Sequence, residues 1–251
     1  MELLVLGSGT AIPHPERTAP GLLLKHENFL ALIDPGPGAI HRLAKYGVDY
    51  REIKEVWITH PHLDHHADLA PLLFARRNAF EKLDELVIRS GEAFEKILGS
   101  LEKVYANWLY SEFSTYRFKA FGSSIGEADI NGLLLKWRPV EHGEWAFGMR
   151  VELKGKSLVY SGDSDFCDSL IELAKDADLL VSECSCPDDK KRPGHMTPTE
   201  VGRLAGMSCA KKLLLVHLYP ECDPTSKILD AVRKNFSGEV EIAKEGELYA
   251  I

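Results

Sequence analysis

The sequence has no long apolar run, since no stretch approaches the roughly 18 consecutive apolar residues that a membrane span requires. The chain starts with the apolar segment MELLVLGSGT, which has no basic lead and continues directly into turn residues. This pattern predicts a first β-strand rather than a signal peptide. We therefore expect a cytoplasmic protein that makes no contact with a membrane.

Cysteine is scarce, with five residues at irregular spacing: Cys167, Cys184, Cys186, Cys209 and Cys222. An odd and scattered set does not match the framework of a disulfide-stapled domain. The Cys-Ser-Cys stretch is only a weak metal motif, so we expect buried structural thiols.

Basic residues are fewer than acidic ones: the sequence has 30 lysines and arginines and 38 aspartates and glutamates, a formal net charge of −8. An acidic chain is poorly suited to broad contact with phosphate backbones. The basic stretch at residues 190–192 is expected to be a solvated loop. The charge balance favours a small-molecule substrate over nucleic acid, although an RNA substrate stays open.

The 251 residues are enough to bury a substantial core, and apolar residues make up an ordinary 45% of them. Short apolar strands and amphipathic helices follow one another in two similar halves, without a linker or a solenoid-length repeat. This order predicts a single layered α/β domain over residues 1–251. Near the end of the chain, residues 240–243 and 247–250 are expected to form a closing hairpin.

Aromatic residues are dense between residues 80 and 121, where no motif is evident. The spacing of apolar residues over 93–109 predicts a long amphipathic helix. We expect most of these aromatic side chains to pack in the core. A pocket wall and a homodimer surface stay open as alternatives.

Histidine is concentrated in the segment ITHPHLDHHADL, residues 58–69, which holds four of the ten histidines. Folding does not require this pattern, whereas metal chemistry does. The segment follows an apolar strand, so His60 and His62 can point to one side while Asp64 and His65 face a neighbouring position. One loop can then serve two metals about 3.5–4 Å apart, as two-metal hydrolases require. Nitrogen and carboxylate ligands suit zinc, and also manganese or iron.

Three further candidate ligands, His142, Asp163 and His217, each follow a predicted strand. A single histidine or aspartate at a strand end is more often structural than a ligand. Together with the His-x-His-x-Asp-His segment, the three predict a metal centre.

With these residues the sequence resembles the metallo-β-lactamase superfamily over nearly the whole chain, from LGSGTAIP to the last strand. The resemblance implies an α/β fold, a four-layer αββα sandwich, with two divalent metal ions at one edge. It assigns His60, His62 and His142 to the first ion, Asp64, His65 and His217 to the second, and Asp163 to both. Neither His66 nor Asp68 is expected to be a ligand. We expect Asp68 and Asp34 to support the ligands through hydrogen bonds.

Within that superfamily the chain is most similar to the ribonuclease Z-like group. The matching segments are LGSGTAIPHPERTAP, EHGEWAFGMRVE, ADLLVSECS and GHMTPTEVG. The resemblance places His195 near the bond that is cleaved, with Glu183 orienting it and Arg17 as a second cationic group. Two departures stand out: no long arm fits between His142 and Asp163, and HLYPECD replaces the group's usual sequence after the last ligand.

These features predict a dinuclear metal-dependent hydrolase in which a metal-bridging hydroxide attacks a small phosphodiester, such as a cyclic nucleotide or cyclic phosphate. Asp64 is expected to orient that hydroxide and accept its proton, and His195 to stabilise charge or protonate the leaving oxygen. Alternatives are a ribonuclease Z-type endoribonuclease and a hydrolase of a carboxylic ester, thioester or lactone. A non-enzymatic metal-binding module is disfavoured, because structural zinc sites are usually closed by four ligands.

Overall fold

The computed structural model describes residues 1–251, which form two mixed β-sheets of seven strands each. The first sheet contains β1 (Glu2–Gly7), β2 (Gly21–His26), β3 (Phe29–Ile33), β4 (Glu55–Trp57), β5 (Leu86–Ser90), β6 (Tyr116–Ala120) and β14 (Leu248–Ala250). The second contains β7 (Gly126–Ile130), β8 (Leu133–Pro139), β9 (Phe147–Leu153), β10 (Lys156–Tyr160), β11 (Leu179–Glu183), β12 (Lys212–Val216) and β13 (Glu239–Ile242). The strand orders are β14-β1-β2-β3-β4-β5-β6 and β13-β12-β11-β10-β9-β8-β7.

Helices cover the outer face of each sheet. They are α1 (Ala39–Lys45), α2 (Leu69–Arg77), α3 (Phe94–Tyr105), α4 (Asp168–Ala174), α5 (Pro198–Met207) and α6 (Ser226–Val232). The first three pack on the first sheet and the last three on the second, while a third apolar cluster lies between the sheets. The layers are therefore αββα, and the predicted fold class is confirmed.

Strand β1 shows why several strands of the two sheets are continuous apolar runs. Leu3 and Val5 belong to the cluster between the sheets, whereas Leu4 and Leu6 belong to the cluster under the helices. A strand buried on both faces has no polar side to alternate with. The same double burial explains the runs of leucine in β2 and β12.

Parallel pairing brings the functional loops to one edge of the sandwich. Strands β3 to β6 are mutually parallel, and so are β10 to β13. The carboxyl ends of neighbouring parallel strands lie at the same edge, so the loops after them meet there.

The predicted closing hairpin is wrong. Strand β13 pairs with β12 in the second sheet, while β14 pairs antiparallel with β1 in the first. The chain crosses between the sheets, and Ala243 and Tyr249 both join the central apolar cluster on the way. Two short alternating strands fit either arrangement, so only their distant partners decide the pairing.

The aromatic segment is mostly exposed, contrary to expectation. Helix α3 ends at Tyr105, and only Phe94 and Leu98 of that helix are buried against the sheet. Trp108 is 54% exposed, whereas Phe121 is buried. Because α3 lies on the outside of the sandwich, its far side and the following turn have nothing to pack against.

Two smaller expectations can be checked directly. The five cysteines are all free, and three of them are buried: Cys184, Cys186 and Cys222. No helix combines the length and the apolar character that crossing a membrane would demand.

A buried ion pair lies between the sheets and generates the first prediction. Glu55 accepts hydrogen bonds from Arg89 Nε at 2.7 Å and Trp57 Nε1 at 2.6 Å. Glu55→Gln leaves the Arg89 charge without its partner, so we expect the free energy of unfolding to fall by about 3–5 kcal/mol. Chemical denaturation measures this loss.

Glu85→Gln is the matched control, because it removes the exposed pair with Arg117, whose side chains are 43% and 54% exposed. That change should cost less than about 1 kcal/mol. Equal losses in the two variants would contradict the assignment of Glu55–Arg89 as a buried, stabilising pair.

Candidate metal centre

The predicted ligands follow strands at one edge of the sandwich. His60 and His62 lie just after β4, Asp163 after β10, His142 after β8 and His217 directly after β12. His217 has a φ of 56°, and Gly162, just before Asp163, has a φ of 57°. A side chain at Gly162 would also meet Thr59, with its Cβ 2.9 Å from that of Thr59. The backbone here is held in conformations that residues seldom adopt without a structural or functional reason.

The first metal group consists of His60, His62, His142 and Asp163. His62 Nδ1 lies 3.0 Å from both His60 Nε2 and His142 Nε2, and Asp163 Oδ2 lies 3.7 Å from these two Nε2 atoms. Metal–nitrogen bonds of about 2.0–2.1 Å would place tetrahedral ligand atoms about 3.3 Å apart. The spacing therefore fits four ligands around one ion.

The second metal group consists of Asp64, His65 and His217. Asp64 Oδ2 lies 3.8 Å from His65 Nε2 and 3.6 Å from His217 Nε2. Asp163 Oδ2 completes the arrangement at 3.3 Å from His65 Nε2 and 3.4 Å from His217 Nε2. The same carboxylate oxygen thus faces both groups, as a bridging ligand would.

Buried atoms without partners show that these residues fit metal ions. His65 Nε2, His217 Nε2 and Asp163 Oδ1 are inaccessible to solvent and form no hydrogen bond. Leaving such atoms unpaired in a protein interior is costly. A divalent cation in each group would satisfy the two nitrogens, and imidazole with carboxylate is a donor set that zinc accepts.

Asp34 orients two ligands of the first sheet. Its carboxylate accepts the hydroxyl proton of Thr59 at 2.7 Å and a proton from His65 Nδ1 at 2.9 Å. Because the Thr59 proton is committed to Asp34, its Oγ1 accepts from His60 Nδ1 at 3.0 Å. In the neutral rings the protons of His60 and His65 are therefore on Nδ1, and each Nε2 carries the lone pair that a metal would bind. Tyr160 also donates to Asp34, at 3.0 Å.

His142 is oriented by Gly194, which lies in the loop between β11 and α5. Its Nδ1 donates to the Gly194 carbonyl oxygen at 2.6 Å, which leaves Nε2 free toward the first metal group. Gly194 belongs to the loop that carries His195, and its amide donates to Asp165 at 3.1 Å. That loop therefore positions a ligand as well as a candidate catalytic residue.

Protonation follows from burial and charge. Burial lowers the pKa of His60 and of His62, which favours the neutral imidazole that binds a metal. Burial alone would raise the pKa of Asp163, but the charges of His217 and His65 outweigh it and hold that pKa well below its ordinary value. The bridging carboxylate is therefore kept ionised.

His195 lies on the rim of the second metal group. Its Nδ1 is 4.0 Å from Asp163 Oδ2, and it donates to Glu183 Oε1 at 3.1 Å. Burial would lower the pKa of His195, but the hydrogen bond and charge of Glu183 outweigh it and raise that pKa. Glu183 is buried and also accepts the amide proton of Ser164 at 2.7 Å.

Arg17 is placed differently from the other predicted catalytic residues. Its guanidinium binds both oxygens of Asp223, at 3.1 and 2.9 Å, and His14 Nε2 lies 3.0 Å from the same carboxylate. The observed contact of Arg17 ties the N-terminal loop to the segment after His217.

His66 and Asp68 lie outside both metal groups. His66 Nε2 lies 3.1 Å from the Pro61 carbonyl oxygen, and its ring packs on Phe94. Asp68 accepts the amide proton of Ile40 at 3.0 Å, so it holds the start of α1 and supports no ligand directly.

Sequence reasoning missed three side chains around the centre. Ser185 lies 2.9 Å from His217 Nδ1, and the ring of Tyr219 packs edge-on against both His195 and His217. The guanidinium of Arg192 lies 4.4 Å above the Tyr219 ring. Ser185 and Tyr219 each lie two residues from a predicted site residue, Glu183 and His217, and this proximity was the only signal in the sequence.

The layered fold and the paired His/Asp groups define a metallo-hydrolase of the metallo-β-lactamase fold. Over residues 1–249 the chain matches the family described as "Anti-Pycsar protein Apyc1", and it belongs to that family.

Relatives agree with this assignment. A Bacillus subtilis protein named "Probable metallo-hydrolase YhfI" is 30% identical over 258 residues, which cover 98% of this chain and 98% of that protein. The crystal structure of YhfI superposes with a TM-score of 0.86 at 27% identity, covering 99% of this chain and 98% of that one.

A ribonuclease Z and a diphosphatase are also among the similar proteins. Ribonuclease Z of Ignicoccus hospitalis is 28% identical over 285 residues, with 93% of each chain covered. The crystal structure of a diphosphatase from the PhnP family has the same fold, with a TM-score of 0.76 at 21% identity and coverage of 100% and 97%. The predicted resemblance to the superfamily and its ribonuclease Z-like group is confirmed.

The shared carboxylate generates the second prediction. Asp163→Ala removes a ligand atom from both groups, so we expect it to lose both zinc ions. His62→Ala removes a ligand only from the first group and should retain about one ion per chain. Elemental analysis of the folded, zinc-loaded variants measures the stoichiometry.

His41→Ala is the control, because this histidine is exposed on α1 and outside both groups. It should keep the stoichiometry of the unaltered protein. Two ions bound by the Asp163→Ala variant would show that Asp163 is not the shared ligand.

Proposed function

We propose that the protein is a dinuclear metal-dependent phosphodiesterase that hydrolyses a small phosphodiester, such as a cyclic nucleotide or a cyclic phosphate. The observation that carries the proposal is His195, an imidazole beside the metal groups that is held through Nδ1 by Glu183. Its Nε2 makes no hydrogen bond within the protein and stays available to a substrate.

Two divalent ions held by these groups would polarise a phosphoryl oxygen and ease the deprotonation of water. Among the residues of the chain, Asp64 is suited to take up that proton. Its side chain is 15% exposed, whereas that of Asp163 is 3% exposed, so Asp64 is the more open of the two carboxylates. Asp64 accordingly orients the attacking water and accepts its proton.

His195 acts on the leaving group, whereas Asp64 acts on the attacking water. Nε2 donates a hydrogen bond to the leaving oxygen and supplies the proton that this oxygen needs as its bond to phosphorus breaks. Glu183 holds the ring in position and compensates its positive charge. The arrangement separates the base, Asp64, from the acid, His195.

A phosphodiester fits this arrangement better than a carbon ester. Paired cations are suited to clamp the attacking and leaving oxygens of an in-line displacement at phosphorus. Two of the similar proteins are named for the cleavage of phosphate esters or anhydrides, ribonuclease Z and a diphosphatase. Their activities support the proposal for this chain.

A small substrate is favoured over precursor transfer RNA. Strands β9 and β10 are joined by the two-residue turn Lys154-Gly155, so the chain has no arm between His142 and Asp163. The net charge of −8 also opposes broad contact with an RNA backbone. Cleavage of a precursor transfer RNA by the purified protein would favour the ribonuclease alternative instead.

The third prediction concerns Asp64. Asp64→Asn should lower kcat for bis(p-nitrophenyl) phosphate by roughly 10²–10⁴-fold with little change in KM, because the amide cannot accept the proton. Steady-state kinetics on zinc- or manganese-loaded protein measures this, with the metal content of each sample determined in parallel.

Asp68→Asn makes the same chemical change four residues along, at a side chain whose hydrogen bond is to the start of α1. It should leave kcat within about twofold of the unaltered protein. The phosphodiesterase proposal fails if protein carrying two metals cleaves no phosphodiester. Cleavage of a carboxylic ester, thioester or lactone by that protein would establish the alternative.

A further inference from the structure

We propose that Ser185 is a positioning residue whose single hydroxyl holds both His217 and His195, so that one side chain sets the second metal group and the candidate acid together. The part that concerns His195 rests on the proposed function, whereas the part that concerns His217 does not. Ser185 is fully buried and lies two residues after Glu183, the last residue of β11.

Glu183 fixes the atom to which the Ser185 hydroxyl donates its proton. Ser185 Oγ donates to Glu183 Oε2 in a short hydrogen bond. The same carboxylate accepts amide protons from Ser164 at 2.7 Å and Met196 at 3.2 Å, which confirms that it acts as an acceptor here. A serine hydroxyl has one proton, so Ser185 Oγ can only accept from its other partners.

His217 must therefore donate to Ser185. Its Nδ1 lies 2.9 Å from Ser185 Oγ and carries the ring proton. In the neutral ring the lone pair is then on Nε2, the buried atom that has no hydrogen-bond partner and faces Asp64 and Asp163. Ser185 thus selects the tautomer of His217 that can bind a metal.

His195 shares the same acceptor. Its Nδ1 lies 3.3 Å from Ser185 Oγ and 3.1 Å from Glu183 Oε1, a bifurcated arrangement. Both Nδ1 atoms converge on one hydroxyl, and the two rings lie nearly parallel, 13° apart with centroids 5.6 Å from each other. The position of the candidate acid is thereby linked to that of a metal ligand.

The Ser185 hydroxyl makes no hydrogen bond to a ligand of the first metal group. Two histidines of that group, His60 and His142, are oriented by Thr59, through Asp34, and by the Gly194 carbonyl oxygen. Loss of the Ser185 hydroxyl should therefore weaken one metal position and spare the other. A merely structural role would not produce this asymmetry.

The test compares Ser185→Ala with Ser182→Ala. Ser182 is equally buried and lies three residues earlier, in β11, but its hydroxyl bonds only to the Glu183 carbonyl oxygen, at 2.9 Å. Zinc affinity is measured by competition with a chromophoric chelator. We expect the Ser185 variant to bind its second zinc roughly 10–100-fold more weakly, with the first unchanged. Ser182→Ala should retain both affinities.

Two further variants separate the hydroxyl from the space it fills. Ser185→Cys occupies similar volume with a weak acceptor and should show the same loss of second-site affinity. Ser185→Thr keeps the hydroxyl and should restore it. These variants decide the matter even if Ser185→Ala folds poorly.

A second measurement, of the position of the His217 ring proton, needs neither metal nor substrate. Nitrogen-15 spectra of the histidine rings in metal-free protein should show the His217 proton on Nδ1, and a mixture of tautomers in Ser185→Ala. Unchanged second-site affinity together with an unchanged His217 tautomer would overturn the proposal. A protein inert on phosphodiesters that still shows both changes would overturn the proposed function alone.

Discussion

The structure depends on the convergence of donor atoms at its metal centre. Five imidazole nitrogens and the carboxylates of Asp64 and Asp163 crowd two positions that share Asp163 Oδ2. Such lone pairs repel one another, and several of the atoms are buried without partners. Bound cations would remove that cost, and the surrounding protein holds the donors in place for them.

Two buried carboxylates provide that restraint, one from each sheet. Asp34 follows β3 with a φ of 47° and sets the tautomers of His60 and His65. Glu183 ends β11 and acts on His217 through Ser185. Each carboxylate is therefore placed by a strand buried on both faces, and the precision of the site derives from the rigidity of the sandwich.

The sequence predicts what is local, and this explains which expectations succeed. The four side chains of His-x-His-x-Asp-His lie in one loop, and the other ligands follow strong apolar strands, so the metal groups could be anticipated. Ser185 and Gly194 act through partners far along the chain, at His217 and His142, which no local pattern reveals. Strands β6 and β7 are harder to predict, because both are sheet edges with few buried side chains and their apolar pattern is weak.

The most direct test of this account is a crystal structure of zinc-loaded protein with anomalous diffraction recorded at the zinc edge. We predict two anomalous peaks, one among His60, His62 and His142 and one among Asp64, His65 and His217, with Asp163 in contact with both. A single peak, or zinc bound only outside these residues, would contradict the two-metal centre on which the proposed chemistry rests.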